Sequence, residues 1–270
     1  MKNNMRILII TVNYNNSRLT IDLSENIDKY FYNYDFYIVD NNSDKINKIL
    51  LSNIKNGEII FNDRNVGYFQ GINLVLDRVK IESYNKIIIC NNDILFDTNF
   101  FKLLETKEYH GNVYAVSPRI LDMNGIDQNP MLEKGISRLK ILFYDLHYKN
   151  YRLGMLMYKT YQILKRYIGK QKNSNSNGRI FMGYGAIYIL TENFFKENKL
   201  LSHPPFLMGE ETFLAYQIYK TQGILFYDKD LIVFHKDHSS CSKIPSKKMY
   251  NITKESYEKY RALMIKLPRL

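Results

Sequence analysis

Tryptophan is absent from the 270 residues, and cysteine nearly so, with only Cys90 and Cys241. Two thiols cannot build a disulfide framework or a four-thiolate metal site, and a reducing compartment is the simpler setting for them. Six prolines and thirteen glycines are too few for a collagen-like or low-complexity chain. Long apolar runs are missing too: none approaches the ~18 residues that a membrane-spanning helix needs. The run Ile7 to Val12 is shorter than a signal-peptide core and leads into asparagine rather than a small-residue cleavage site. The expected location is therefore cytoplasmic. Acidic residues are scarce relative to basic ones, 27 against 38, for a net charge of +11. Most of that excess is local, because residues 131–179 hold eleven Lys and Arg against only Glu133 and Asp145. Such a patch seeks an anionic partner. It carries no recognised DNA- or RNA-binding motif, so nucleic acid is not the expected partner and a phospholipid surface is. What remains, 45% hydrophobic and 24% charged residues, is the balance of an ordinary globular protein.

The first 120 residues alternate short β-branched runs with segments of helical period, the pattern of parallel strands joined by crossover helices. Strands are predicted at 6–12, 36–39, 58–61, 86–90 and 113–117. Between them, Leu19, Leu23, Ile27, Tyr30 and Phe31 mark a first helix, Ile46, Ile49 and Leu50 a second, and Phe69, Ile72, Val75, Leu76 and Val79 a third. Cys90 falls inside the fourth strand and reads as a small core residue.

Open parallel sheets bind ligands at the carboxyl ends of their strands, and here those ends are consistently polar. They read Asn13-Tyr14-Asn15-Asn16, Asp40-Asn41-Asn42-Ser43, Asn62-Asp63-Arg64-Asn65-Val66-Gly67 and Asn91-Asn92-Asp93. Four loops of donors and acceptors thus converge on one rim. The same residue types also make ordinary turns and helix caps, and Asp40 in particular could cap the helix beginning near Asp44. Farther on come Gly183-Tyr184-Gly185-Ala186, then Gly209-Glu210-Glu211 opening a helix, then His235 ending the apolar run Leu231 to Phe234.

Taken in order and spacing, these pieces resemble the family 2 inverting glycosyltransferases of GT-A fold, close to the bacterial polysaccharide and rhamnosyltransferase-like branch. The resemblance runs from residue 6 to about residue 240. It implies a Rossmann-like, mostly parallel sheet flanked by helices, a nucleoside-diphosphate sugar donor (UDP- or dTDP-linked), and Mn2+ or Mg2+. Thr11, Val12, Asn13 and Tyr14 would border the base and ribose, and Asp40 would accept from the base, with Asn42 beside it. Arg64, Asn65, Gly67 and Asn73 would line the donor. Asn91-Asn92-Asp93 stands where the family has Asp-any-Asp. Asn91 brings no charge, so Asp93 is left as the carboxylate for the metal and the diphosphate, with His235 its candidate partner and His238 a weaker rival. Glu211 matches the general base that deprotonates the acceptor hydroxyl. Since the family usually has Glu-Asp here, Glu210 remains an alternative. A second reading, prompted by Asn91 and Glu211 in place of aspartates, is a non-catalytic sugar-nucleotide or glycan-binding protein on the same scaffold.

Residues 131–179 interrupt that pattern. Leu139, Leu142, Phe143 and Leu146 share one helical face, and Leu153, Met157, Tyr161, Leu164 and Ile168 another, with Lys and Arg around them. Basic amphipathic helices read as membrane-surface elements. A stripe buried against the catalytic core is the competing reading. The expected organisation is a nucleotide-sugar half (1–130), a basic helical insertion (131–179), an acceptor half (180–240) and a helical tail (241–270). The expected setting is the inner face of the membrane, with a glycan or lipid-linked acceptor for surface polysaccharide synthesis.

Overall fold

Alternation along the first strand, β1 (Ile7–Asn13), sends Ile7 and Ile9 to one face and Leu8 and Ile10 to the other, all four fully buried. A strand buried on both faces belongs in the middle of a sheet covered on both sides. The computed structural model describes residues 5–31, 33–167, 176–236 and 246–268 and places β1 there. Its neighbours are β2 (Tyr34–Asp40), which pairs outward with β3 (Glu58–Phe61), and β4 (Lys86–Asn91), all parallel to it. Beyond β4 the sheet turns mixed. β5 (Ile94–Phe96), β6 (Val113–Asp122), β7 (Gly178–Ile180), β8 (Ile187–Thr191) and β9 (Ile224–His235) complete the order β3-β2-β1-β4-β8-β6-β9-β5, with β7 pairing β9.

One face carries α1 (Ser17–Tyr30) and α4 (Phe100–Thr106), which contribute Leu23, Ile27, Phe100 and Phe101 to its core. Leu51, the last residue of α2 (Lys45–Leu51), joins the same core. The other face carries α3 (Tyr68–Leu76), α7 (Glu192–Glu197) and α8 (Glu210–Lys220), whose Phe69, Ile72, Phe194, Leu214 and Ile218 fill a second core. The predicted strands and helices of the N-terminal half fall where the sequence pattern puts them, β6 running five residues longer and the parallel pairing confined largely to that half.

Topology brings the polar loops together. β8 runs antiparallel to β4 and to β6, and β6 runs parallel to β9, so β4, β6 and β9 share a direction with β1. The carboxyl end of β9 and the start of β8 therefore open on the same rim as Asn13, Asp40 and Asn91.

The insertion forms α5 (Arg138–His147) and α6 (Tyr151–Tyr167), and the tail forms α9 (Ser246–Lys266). Ser137 caps α5 by accepting from the Lys140 amide at 3.2 Å. α5 and α9 are joined by a carboxylate: Asp145 accepts from Arg261 Nε at 2.5 Å and Nη2 at 2.8 Å, and from the Tyr257 hydroxyl at 2.6 Å. Tyr144, Tyr148, Tyr257 and Tyr260 pack ring against ring between them. α6 seats on the pair at Gly154, where a Cβ would stand 2.6 Å from the His147 carbonyl oxygen and 2.7 Å from the Tyr250 ring. The face of α5 that carries Leu139, Leu142, Phe143 and Leu146 is not a core stripe: Leu139 is 77% exposed and Leu142 53%. Ile141 is the residue that turns inward.

Candidate active site

Asn13 is the hub of the rim. Fully buried, it donates through Nδ2 to Asp40 Oδ1 at 2.8 Å, Ser43 Oγ at 3.0 Å and Ser17 Oγ at 3.2 Å. Its Oδ1 accepts from Thr20 Oγ1 at 3.0 Å and Asn92 Nδ2 at 3.2 Å. Asp40 takes its other bond from the Ser43 amide at 3.0 Å and is itself fully buried. It does not cap α2, because the capping carboxylate is Asp44, which accepts from the Asn47 amide. Thr11 donates to the Cys90 carbonyl at 2.9 Å, and burial keeps the Cys90 thiol protonated by pushing its pKa up. These groups tie the strand ends together and hold the rim in one shape.

Several residues expected at the donor stand apart from one another. Asn73 pairs both amide groups with the backbone of Leu201, donating to its carbonyl at 2.8 Å and accepting from its amide at 2.9 Å. Asn42, in the left-handed region at φ 63°, accepts from Lys48. Tyr14 and Arg64 are exposed, Val12 packs against Gly71, and Asn65 receives the Gly67 amide. Gly67 itself has φ 88°, and a side chain there would collide with the Phe206 carbonyl.

The second cluster lies at the junction of β4, β5 and β9. Asp93 just precedes β5, whose Ile94 pairs with His235, and the two side chains meet with His235 Nε2 at 3.2 Å from Asp93 Oδ1. Both are at least nineteen-twentieths buried. His235 Nδ1 lies 2.9 Å from Gln128 Oε1, and the Tyr184 ring stands edge-on 5.7 Å away. A proton on Nδ1 satisfies the Gln128 oxygen and turns Nε2 toward Asp93, the orientation by which an outer partner prepares an imidazole to ligate. Among the described residues no three His, Cys, Asp or Glu side chains gather to hold a metal. Asp93 and His235 are a two-donor set, which suits a cation that takes its other ligands from substrate phosphates. His238 lies outside the described residues.

The third cluster is the start of α8. Gly209 precedes it at φ 98°, and a Cβ there would strike the Tyr260 ring of α9. Glu210 and Glu211 follow. Burial, and then the charge of Glu211, raise the Glu210 pKa to about 8, while burial raises that of Glu211. Glu211 is also held by the Gly185 amide, and a Cβ at Gly185 would stand 2.6 Å from Glu211 Oε1. That close approach explains the glycine of Gly-Tyr-Gly physically. Both acids line a cavity of about 460 Å3 together with Asn91, Tyr68 and Tyr184 from the sheet side and Lys140, Tyr144 and Tyr260 from α5 and α9.

Sequence reasoning assigned no site role to Tyr68, Gln128, Asn129 or Lys140. Asn129 donates to Ser117 Oγ and accepts from the Tyr184 amide, fixing the loop beneath Glu211. Only Tyr68, next to Gly67, carried a local signal.

No family model matches the chain, and no curated protein matches it by sequence. Solved structures do. GalNAc-T7, crystallised with UDP, GalNAc and Mn2+, superposes with a TM-score of 0.58 at 13% identity over 95% of this chain and 50% of its own. Staphylococcus aureus TarS (residues 1–349) with UDP-GlcNAc gives 0.58 at 14% identity, over 97% and 66%. The Pyrobaculum calidifontis mannosyltransferase PcManGT with GDP-Man and Mn2+ gives 0.53 at 11% identity, over 97% and 73%. The chain has the GT-A fold. It spans half to three-fifths of the first structures matched. On this GT-A core the Tyr68 ring lines the cavity with Glu210 and Glu211, and its phenol feels the charge of both Glu210 and Asp93.

Proposed function

We propose that the chain is an inverting glycosyltransferase that moves a sugar from a nucleoside-diphosphate donor, UDP- or dTDP-linked, to a hydroxyl of a glycan or lipid-linked acceptor in bacterial surface polysaccharide synthesis. The observation that carries this reading is the convergence, on one GT-A rim, of a buried carboxylate–imidazole pair and a second pair of acids lining the cavity, Glu210 buried and Glu211 partly so. Mn2+ or Mg2+ held by Asp93 and His235 would supply positive charge for the departing diphosphate. Glu211, whose charge reaches Tyr144 of α5, faces the insertion side of the cavity, the side left to an acceptor. It takes the proton of the attacking hydroxyl as the new bond forms at the anomeric carbon, and the electrons of the broken carbon–oxygen bond leave with the diphosphate. The bound geometry supplies much of the remaining acceleration.

The test is thermal stability against UDP, dTDP, GDP and CMP with and without Mn2+. A ligand that binds only the native state at ~100 times its Kd stabilises by about 2.7 kcal/mol. One nucleoside diphosphate should raise the melting temperature, and only with metal. No shift with any of the four would count against the donor site.

The insertion supports a bilayer as the acceptor's setting. No described helix is long and apolar enough to cross a membrane. Of the nineteen large apolar side chains exposed among the described residues, nine lie between Leu139 and Leu164 on α5 and α6, inside the most basic segment of the sequence. Apolar side chains flanked by Lys and Arg match an anionic lipid surface. Sedimentation with vesicles containing phosphatidylglycerol should capture the protein, and neutral vesicles should not. Because burying one such side chain contributes about 1.5–3 kcal/mol, Leu142→Asp with Phe143→Asp should weaken capture at least about tenfold. Undiminished capture would remove α5 from the interface.

A further inference from the structure

Tyr68 is the first residue of α3, and its hydroxyl oxygen is shut from solvent without a hydrogen-bond partner. The ring lines the same cavity as Asn91, Glu210 and Glu211. A buried hydroxyl left unpaired costs stability, and native chains seldom keep one without use. Burial first, then Cys90, Glu210, Tyr188 and Asp93, push its pKa well above the ordinary phenol value, so at any physiological pH it is a neutral donor. A neutral phenol can donate to a neutral hydroxyl oxygen of a ligand in the cavity. The phenol shares its cavity with the acids assigned to the acceptor's proton and with Asn91, two positions before the carboxylate assigned to the leaving diphosphate, and the transferred ring must lie between those two groups.

Resting on the glycosyltransferase reading, we infer that the Tyr68 hydroxyl donates a hydrogen bond to a ring hydroxyl of the donor's sugar and so helps select that sugar, separately from the nucleotide. For the sugar to reach that oxygen, the neighbouring segment must shift. Met208 and Gly209, which line the same cavity, both hold positive φ, at 72° and 98°, a conformation that stores strain at a non-glycine residue. The Phe206 carbonyl just before them packs on Gly67, beside the phenol. This corner has to move and uncover the oxygen as the sugar enters.

The decisive variant is Tyr68→Phe, which removes the oxygen alone. Wild type and variant are compared by thermal shift and isothermal titration with UDP, dTDP and GDP, and with UDP-GlcNAc, UDP-glucose, dTDP-rhamnose and GDP-mannose, all with Mn2+. The expected result has two parts. The nucleoside diphosphates bind both proteins equally, while the Kd of the sugar conjugate rises about fivefold to tenfold in the variant, the worth of one hydrogen bond. The variant without ligand melts no lower than wild type, since it has lost an unsatisfied group and no contact. Equal affinity of the sugar conjugate for both proteins overturns the inference and leaves the glycosyltransferase reading standing. Absence of any nucleotide binding by wild type overturns both. A lower melting temperature of the unliganded variant would show the oxygen to be paired in the free protein, against the inference.

Discussion

Glu211→Gln is expected to reduce sugar transfer by about 10²–10⁴, the range that a general base contributes, with little change in nucleoside-diphosphate affinity. The amide keeps the shape of the side chain and can still meet the Gly185 amide through its oxygen, so the loss falls on proton removal rather than on folding. A non-catalytic binding protein on the same scaffold predicts no such separation, which makes this variant the test between the two readings. The pH profile adds a second readout. Burial and the neighbouring charge of Glu211 push the Glu210 pKa up to about 8, so the pair is fully ionised only at mildly alkaline pH. Turnover should rise with pH as Glu211 loses its proton, a step that burial moves above the ordinary carboxyl range. Folding stability should run the other way. A carboxyl whose pKa is higher folded than unfolded binds more protons in the native state, so stability declines between the ordinary carboxyl pKa and about 8, by roughly 1.4 kcal/mol per pH unit for each such proton. Glu210→Gln should flatten that decline, and a decline unaltered by the substitution would show that other groups cause it.

Asp93→Ala should abolish metal-dependent nucleotide binding and with it transfer, by about 10²-fold or more if the remaining ligand cannot hold the cation alone. The control is His235→Gln, which keeps a polar group against Asp93 and Gln128 yet offers a poorer ligand. A graded series, wild type above His235→Gln above Asp93→Ala in Mn2+-dependent thermal stabilisation by a nucleoside diphosphate, would establish both side chains as ligands. Equal stabilisation in all three would place the cation elsewhere.

What could be read in the sequence divides along the distance over which each feature is determined. The parallel half announced itself because each strand there is a β-branched run of its own, and β4 reads Lys-Ile-Ile-Ile-Cys-Asn with Ile87 to Cys90 all buried. The three-residue β5 gave no signal, since it exists by pairing with β9 about 140 residues on. The polar rim was visible as loop chemistry, yet that chemistry could not say which polar group faces a ligand. Asn13 and Asp40 satisfy each other, Asn92 turns back to Thr20, and Asn73 serves Leu201. Those pairings depend on how segments 27 to 128 residues apart are set side by side. Conversely the Asp93–His235 meeting was foreseeable only through family resemblance, because 142 positions separate the two residues, and Gln128 behind His235 could not be foreseen at all. Helical periodicity on α5 was correctly visible, but periodicity names a face without saying what covers it.

The wall of the cavity opposite the sheet is made by two stretches of chain about a hundred residues apart in sequence, α5 and α9, which are clasped to each other by Asp145 and Arg261 and by stacked tyrosines. Neither stretch can drift alone without unmaking the clasp. The two should therefore be inherited and exchanged as one cassette, which would let that wall of the cavity be replaced while the rim around Asn13, and whatever it holds, stays as it is.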